Sequence, residues 1–281
     1  MRTKSLLLGV AVCLLGGLAS AQFRREAPKP YGAPPEAEFH MARLAYFAQG
    51  CAGSHGYCNP WWAIDYPYAE AHFLPAVQRM TRIEVAPDSR HLTLDDDYLF
   101  DYPWLFLQQP GRGDWMPQGK QLERLREYLE RGGFLVVDDF HGEYEWAAFR
   151  EAMATLLPGR AIIDIPDSDM LHHILFDLDK RTQIPGERHL WGGMEGKPHW
   201  RGIYDDRGRL MVAMNHNSDM GDAWEHADDA PHVGDGVVLV AVAQREARRA
   251  YRRQTIVELD ARREARFRRA HGAGRDAAVN D

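Results

Sequence analysis

Two carboxylates and an imidazole stand together in Asp138-Asp139-Phe140-His141-Gly142. Side chains of these types can bind a divalent metal, serve as acid and base, or hydrogen-bond a polyol. The plainer alternative is that one aspartate caps the following helix and the other is solvated. A second polar stretch runs from His216 through Asp219 and Asp222 to Trp224 and Glu225. His216, Asp219 and Glu225 could join the first group, and Trp224 could offer a stacking face to a sugar or aromatic ligand. A structural loop, with Trp224 in the core, competes with that reading. The candidate ligand-binding set is therefore Asp138, Asp139, His141, His216, Asp219, Trp224 and Glu225. The candidate metal set within it is Asp138, Asp139 and His141. Clustered carboxylates repel one another, so they persist side by side only with a cation, a shared proton or hydrogen-bond donors.

Other polar groups carry weaker signals. His172 and His173 are adjacent and would point apart on a strand or turn, which suits them poorly to one metal. Arg201 could hold an anion or simply pair with an acid. The chain has no phosphate-cradling glycine loop, no Gly-x-Ser-x-Gly elbow and no His-Glu-x-x-His helix. A divalent metal is thus the one cofactor that the residues suggest.

The elements around Asp138 explain why it could sit in a site. Leu122, Leu125 and Leu129 mark a helix that Gly132-Gly133 stops. Phe134 to Val137 is a continuous apolar run, as in a strand buried on both faces of a parallel sheet. A second helix, expected over 145–157, carries Trp146, Phe149 and Met153 on one face. This order places the aspartates at the carboxyl end of a strand, where open α/β sheets bind ligands. Elsewhere the pattern predicts strands at Phe39–Phe47, Ile83–Ala86, Trp104–Leu107 and Ala161–Ile165. It also predicts a helix ending near Met80, a capped helical turn over Leu94–Phe100, and a hairpin of Arg201–Tyr204 with Leu210–Asn215. Strands separated by helices imply βαβ units and a mostly parallel sheet.

Residues 1–21 read as a secretory signal: Arg2 and Lys4, an apolar stretch from Ser5 to Leu18, then Ala19-Ser20-Ala21. An uncleaved anchor is the other reading of this segment. The expected product is periplasmic, secreted across the inner membrane, with no transmembrane span in the mature chain. Residues 22–37 form a Pro/Gly/Ala-rich lead-in. Net charge is −7, falling to −9 without Arg2 and Lys4, which argues against nucleic-acid binding. Aromatic residues at 11% argue for a packed core. Cys51 and Cys58 flank a glycine-rich loop, and in an oxidising compartment a local disulfide is the first reading. A metal site with His55 is the sharper alternative.

Several motifs resemble those of the bacterial domain of unknown function 4159 family. They include Phe39-His40-Met41-Ala42-Arg43-Leu44-Ala45-Tyr46, Trp62-Ala63-Ile64-Asp65-Tyr66-Pro67, Asp96-Asp97-Tyr98-Leu99-Phe100-Asp101-Tyr102-Pro103-Trp104 and Arg131-Gly132-Gly133-Phe134-Leu135. The Asp138–Gly142 stretch, His199-Trp200-Arg201-Gly202-Ile203-Tyr204 and the His216–Glu225 stretch complete the set. The resemblance implies a class I glutamine amidotransferase-like, flavodoxin-like three-layer sandwich over residues 38–230. It brings no established reaction. Amidotransferases carry Gly-x-Cys-x-Gly after the central strand; with Gly142 as the closing glycine, Phe140 takes the nucleophile's place. Phenylalanine cannot attack a carbonyl, so amidotransfer by the usual Cys-His pair is not expected. After Pro231 the motifs end, and residues 231–281 turn into an Ala/Arg-rich segment. A basic helix for an acidic partner or anionic lipid and a shifted reading frame are the two readings of it.

Three functions follow. The first is an extracytoplasmic ligand-binding or interaction module for a small polar ligand. The second is a metal-assisted hydrolase or lyase acting on a carbohydrate-like or other polar substrate. The third is a structural component of a cell-envelope complex with a protein partner, because related families are encoded beside MoxR-type ATPases and von Willebrand factor A-type proteins. Whether the protein is an enzyme is left open by the residues alone.

Overall fold

A computed structural model describes residues 31–47, 50–51, 59–112, 115–173 and 196–226. The expected signal, Cys58 and the segment after Pro231 lie outside the described residues. By contacts the chain divides after Ala33, and Pro34 onward forms a unit of its own.

Among the described residues, seven strands build one mixed sheet. They are β1 (Met41–Leu44), β2 (Arg90–Leu92), β3 (Trp104–Gln108), β4 (Phe134–Phe140), β5 (Ile163–Asp164), β6 (His199–Tyr204) and β7 (Leu210–His216). Their spatial order is β2-β1-β3-β4-β7-β6-β5. The first five in that order pair in parallel, and β6 and β5 add an antiparallel edge. The expected mostly parallel sheet is present. The chain order of the parallel strands reverses between β1 and β3, the topological switch point at which open α/β sheets leave a crevice.

Helices α1 (Tyr68–Thr81), α2 (Gly119–Glu130), α3 (Gly142–Leu156) and α4 (Met220–Glu225) complete an α/β sandwich. Alternation along the strands sorts the core into two layers. Met41, Trp104, Phe106, Phe134, Val136 and Ala213 cluster with Phe73 and Val77 of α1 and Trp224 of α4. The intervening Leu105, Leu107, Leu135 and Val137 are fully buried and face the other way. There Phe140 packs on Trp146 and Phe149 of α3, at ring separations of 6.2 and 5.0 Å. Gly133 lets Tyr128 close over the start of β4, since a Cβ there would overlap the Tyr128 ring. The Tyr128 hydroxyl donates to the Tyr102 carbonyl at 2.9 Å and lies 3.3 Å from that of Phe134, tying α2 to the approach to β3 and the start of β4.

Four expectations need correction. β1 ends at Leu44, and Phe47 is 93% exposed. Ile83–Ala86 contributes an isolated bridge, Val85 to Phe39, while the strand proper is β2, whose Arg90 and His91 hide the apolar signature. The turn at Leu94–Phe100 holds a short 3-10 segment, Leu99–Asp101. The stretch after β7, read as a polar loop, contains α4 instead. Its Asp219 accepts from the Asp222 backbone N–H at 2.9 Å, an N-cap that starts a helix within a charged sequence.

Candidate functional site

The alternation that buries Trp104, Phe106, Phe134 and Val136 against α1 and α4 carries on to the strand ends. It places Gln108 and Asp138, paired partners across β3 and β4, on that same side. Arg43 of β1 and Asn215 of β7 extend the row. All four are fully buried, so four adjacent parallel strands end in polar side chains under one helical layer.

Asp138 is the best-bonded of them. Its Oδ1 accepts from Asn215 Nδ2 at 2.7 Å. Its Oδ2 accepts from the backbone N–H groups of Met220 and Gly221 at 2.7 and 2.9 Å. Asp138 therefore caps α4, a helix 82 residues away in sequence, and not the helix that follows it. Burial pushes its carboxyl up to about 7, with the Asn215 hydrogen bond resisting and the Asp139 charge adding to the rise.

Asp139 sits at a left-handed φ of 52° between β4 and α3, where the strand register shifts. That turn swings its carboxylate away from the α3 layer. Oδ1 meets His141 Nε2 at 2.9 Å, while Oδ2 accepts from Gln109 Nε2 and, at 3.4 Å, from Gln108 Nε2. Because three donors converge on Asp139, the opposite ends of those groups are left over. Gln108 Oε1, Gln109 Oε1 and His141 Nδ1 are buried and have no hydrogen-bond partner. Tyr46 fixes the strand end that bears the two glutamines: its hydroxyl contacts the Gln108 and Gln109 carbonyls at 2.8 and 2.9 Å. Burial, and then the charges of Asp139 and Glu145, hold that phenol far above its ordinary range, so it stays a donor. Glu145 turns back from α3 to accept from the His141 backbone N–H at 2.7 Å.

On the α1 side Gln108 Nε2 also donates to Asp65 Oδ2 at 2.8 Å. Asp65, in turn, lies against the first turn of α4; a Cβ on Gly221 would overlap its Oδ2. Asp65, Asp219 and Asp222 offer oxygens within 4.8 Å of one another, and two carboxylates and an imidazole, Asp222, Glu225 and His226, form a second group of the same span. Burial drives the Asp65 and Asp219 carboxyls well above the carboxylate range. For Asp65 the Arg43 charge opposes this, and neighbouring carboxylates reinforce it. For Asp219 the charges of Asp139, Asp65, Asp138 and Asp222 all raise it further. Arg43 itself is bound to Glu70 at 2.6 Å and to the Trp62 and Ile64 carbonyls, beneath the Tyr66 ring and over Phe106. Asp65, Gln109, Asp139 and Asn217 all have φ between 48° and 62°, so strained backbone gathers at these strand ends.

The sequence-derived set is thus divided. Asp138, Asp139, His141 and Asp219 come together. Glu225 lies at the outer end of α4, grouped with Asp222 and His226. Trp224 stacks on Phe73 at 4.0 Å in the core and offers no face to a ligand. His216 lies in the α3 layer, stacked on Trp146 at 5.0 Å. Its Nε2–H donates to the Gly142 carbonyl at 3.3 Å and its Nδ1 accepts from Arg201 at 3.0 Å, which fixes a neutral ring. Arg201 pairs with an acid, as one of its two readings had it: its Nε donates to Asp164 Oδ1 at 3.2 Å, while it also donates to His216 Nδ1 and covers the face of Trp146. His172 is buried, while His173 bonds the Asp167 carbonyl at 2.9 Å. Phe140 is fully buried among aromatic rings and takes no place in the polar cluster.

Asp65, Gln108, Gln109 and Tyr46 are the site residues that the sequence did not single out. One signal could have found them: each falls at or just beyond the carboxyl end of an apolar run, or within a family-like motif. Among the described residues, no helix is long and apolar enough to cross a membrane. No curated protein matches the chain. A family model, Domain of unknown function (DUF4159), matches residues 41–254 and so runs on past Pro231, where the resemblance of motifs was expected to stop. With most of its length inside that match, the chain belongs to the DUF4159 family.

Proposed function

We propose that this protein is an exported binding module for a small polar ligand, built on a flavodoxin-like, amidotransferase-like sandwich without a nucleophile. The chain order 2-1-3-4-5 of its parallel strands supports that fold relation. One observation carries the functional reading. Asp139 draws in the donors of Gln109 and His141 and leaves Gln109 Oε1 and His141 Nδ1 as buried acceptors without partners. Buried acceptors gain most from a ligand that brings hydrogen-bond donors. A polyhydroxyl compound or an amino alcohol has the matching chemistry, and an anion does not, given the carboxylates around it. Thermal-shift and calorimetric titration with monosaccharides, inositol and ethanolamine tests this. Saturable stabilisation by one class should disappear in Asp139→Ala and in His141→Ala while both variants still fold. If no probe of either class stabilises the wild-type chain, the reading fails.

A second reading, hydrolase or lyase, draws support from the same pair. A histidine held by a carboxylate through one ring nitrogen, with the other nitrogen unengaged, is the arrangement of a general base. Turnover of the bound compound, lost in His141→Ala without loss of binding, would favour it over simple binding.

A further inference from the structure

We infer that Asp139 is the positioning residue that sets which tautomer His141 adopts, and with it the class of ligand atom that the ring admits. This rests on the ligand reading above and adds the residue on which its preference for donors turns.

His141 Nε2 meets Asp139 Oδ1 at 2.9 Å. Carboxylate oxygens accept and do not donate, so Nε2 carries the ring hydrogen and Nδ1 keeps a lone pair. Nδ1 is buried, and among the described residues nothing bonds it. A ligand atom that meets it must therefore bring a hydrogen. A hydroxyl or an amine does so; an ether or a carbonyl does not. With the hydrogen on Nδ1 the preference would reverse.

The carboxylate is held to this task from behind. Gln108 Nε2 donates to Asp65 Oδ2 at 2.8 Å and lies 3.4 Å from Asp139 Oδ2, so its amide presents nitrogen to both acids. Gln109 Nε2 donates to the same Asp139 oxygen. The backbone behind both amides is pinned. Tyr46 bonds the two glutamine carbonyls at 2.8 and 2.9 Å, and the Gln109 N–H donates to the Asp138 carbonyl at 3.0 Å. Oδ2 is thus a fixed acceptor, and Oδ1 is the oxygen turned to His141. Asp139 stands there at a φ of 52°, a left-handed conformation that asparagine tolerates as aspartate does.

These contacts make Asp139→Asn decisive. The two glutamine nitrogens claim the one side-chain oxygen that asparagine has. Its NH2 group then faces His141 Nε2 and can only donate. Nε2 must accept, so the ring hydrogen moves to Nδ1. Size and backbone are kept, and the polarity of the ring is reversed.

The test uses the full chain with isotope-labelled histidine at about pH 8.5, well above the ordinary imidazole value. Long-range nitrogen–proton spectra separate the two tautomers, and the His141 signals are those missing from His141→Ala. The wild-type chain should show Nε2 protonated and Nδ1 bare. Asp139→Asn should show the reverse, with its circular dichroism unchanged. The wild-type spectrum needs no variant: a hydrogen on Nδ1, on both nitrogens, or exchanging between them overturns the inference. So does a wild-type tautomer in folded Asp139→Asn. Monosaccharides, inositol or ethanolamine, whichever stabilises the wild-type chain, should bind Asp139→Asn more weakly by on the order of tenfold or more. Equal affinity for the two chains overturns the link from tautomer to ligand. Tautomers as stated, with none of these compounds bound by the wild-type chain, would sink the ligand reading alone. Binding by a wild-type chain whose Nδ1 carries the hydrogen would sink this inference alone.

Discussion

Adjacent aspartates do opposite work in this site. Asp138 satisfies two α4 N–H groups and Asn215. Asp138→Ala should therefore cost about 2 kcal/mol or more in a denaturant melt, because three buried donors lose their acceptor. Asp139 gathers side-chain donors, Gln109 and His141 among them, that can turn once it is gone, so Asp139→Ala should cost less than Asp138→Ala in the same melt and remove ligand binding. His216 supplies a pH signature. Burial first, then Arg201, His199 and His141, hold its imidazole down at about 4, although the Gly142 carbonyl pulls the other way. A histidine kept neutral in the folded chain contributes stability above the ordinary value near 6.5. That contribution is lost as pH falls toward 4. The loss is on the order of 3 kcal/mol over that window. Melting temperatures from pH 7 to pH 4 should fall less steeply in His216→Phe than in the wild-type chain; parallel curves would refute it. Asp138, Asp139 and His141 were legible because they follow an apolar strand in one unbroken run. Asp65 and Gln108 were not, because only pairing between distant strands and the approach of α4 brings them to the same place. His216 misled for a related reason: one step along β7 from Asn215 puts a side chain on the opposite face.

At the level of elements, the site is a clamp between α4 and the ends of β3 and β4. α4 is only six residues long and cannot be stable alone. It persists because Asp138 and Asp219 cap it and because Trp224 anchors it on Phe73. Gly221 marks where the clamp closes. Gly221→Ala puts a methyl into Asp65 and within 3.0 Å of Gln108 Nε2. It should cost about 1–3 kcal/mol in a denaturant melt. Unchanged stability would show that α4 does not close on Asp65. The same elements show how far periodicity reaches. Apolar runs revealed β3 and β4, the leucine spacing revealed α2, and the turn Asp205-Asp206-Arg207-Gly208 revealed the hairpin of β6 and β7. Neither β2 nor α4 has an apolar pattern of its own. One is fixed by pairing with β1, the other by capping groups from β4, and such causes leave no trace in a local window.

On the scale of the whole molecule, the seven strands and the helices that cover them among the described residues fall between Met41 and Glu225. The family match runs to residue 254, which places the Val237–Val242 run and the first arginines within it and leaves Thr255 to Asp281 beyond. The sequence after Arg245 is rich in arginine and alanine, with more arginines than acids, and arginine without an acidic partner is costly to bury. Limited digestion with a protease of broad specificity should therefore cut first between Arg245 and Arg275, ahead of any loop between Pro34 and His226. The product should melt as the parent does, since the described strands and helices are all retained. Two results would count against this view. Resistance through Arg245–Arg275 would mean that the arginines are paired within the fold. A clipped product that melts lower would mean that residues past Glu225 cover part of the sheet, and that the family's domain needs them.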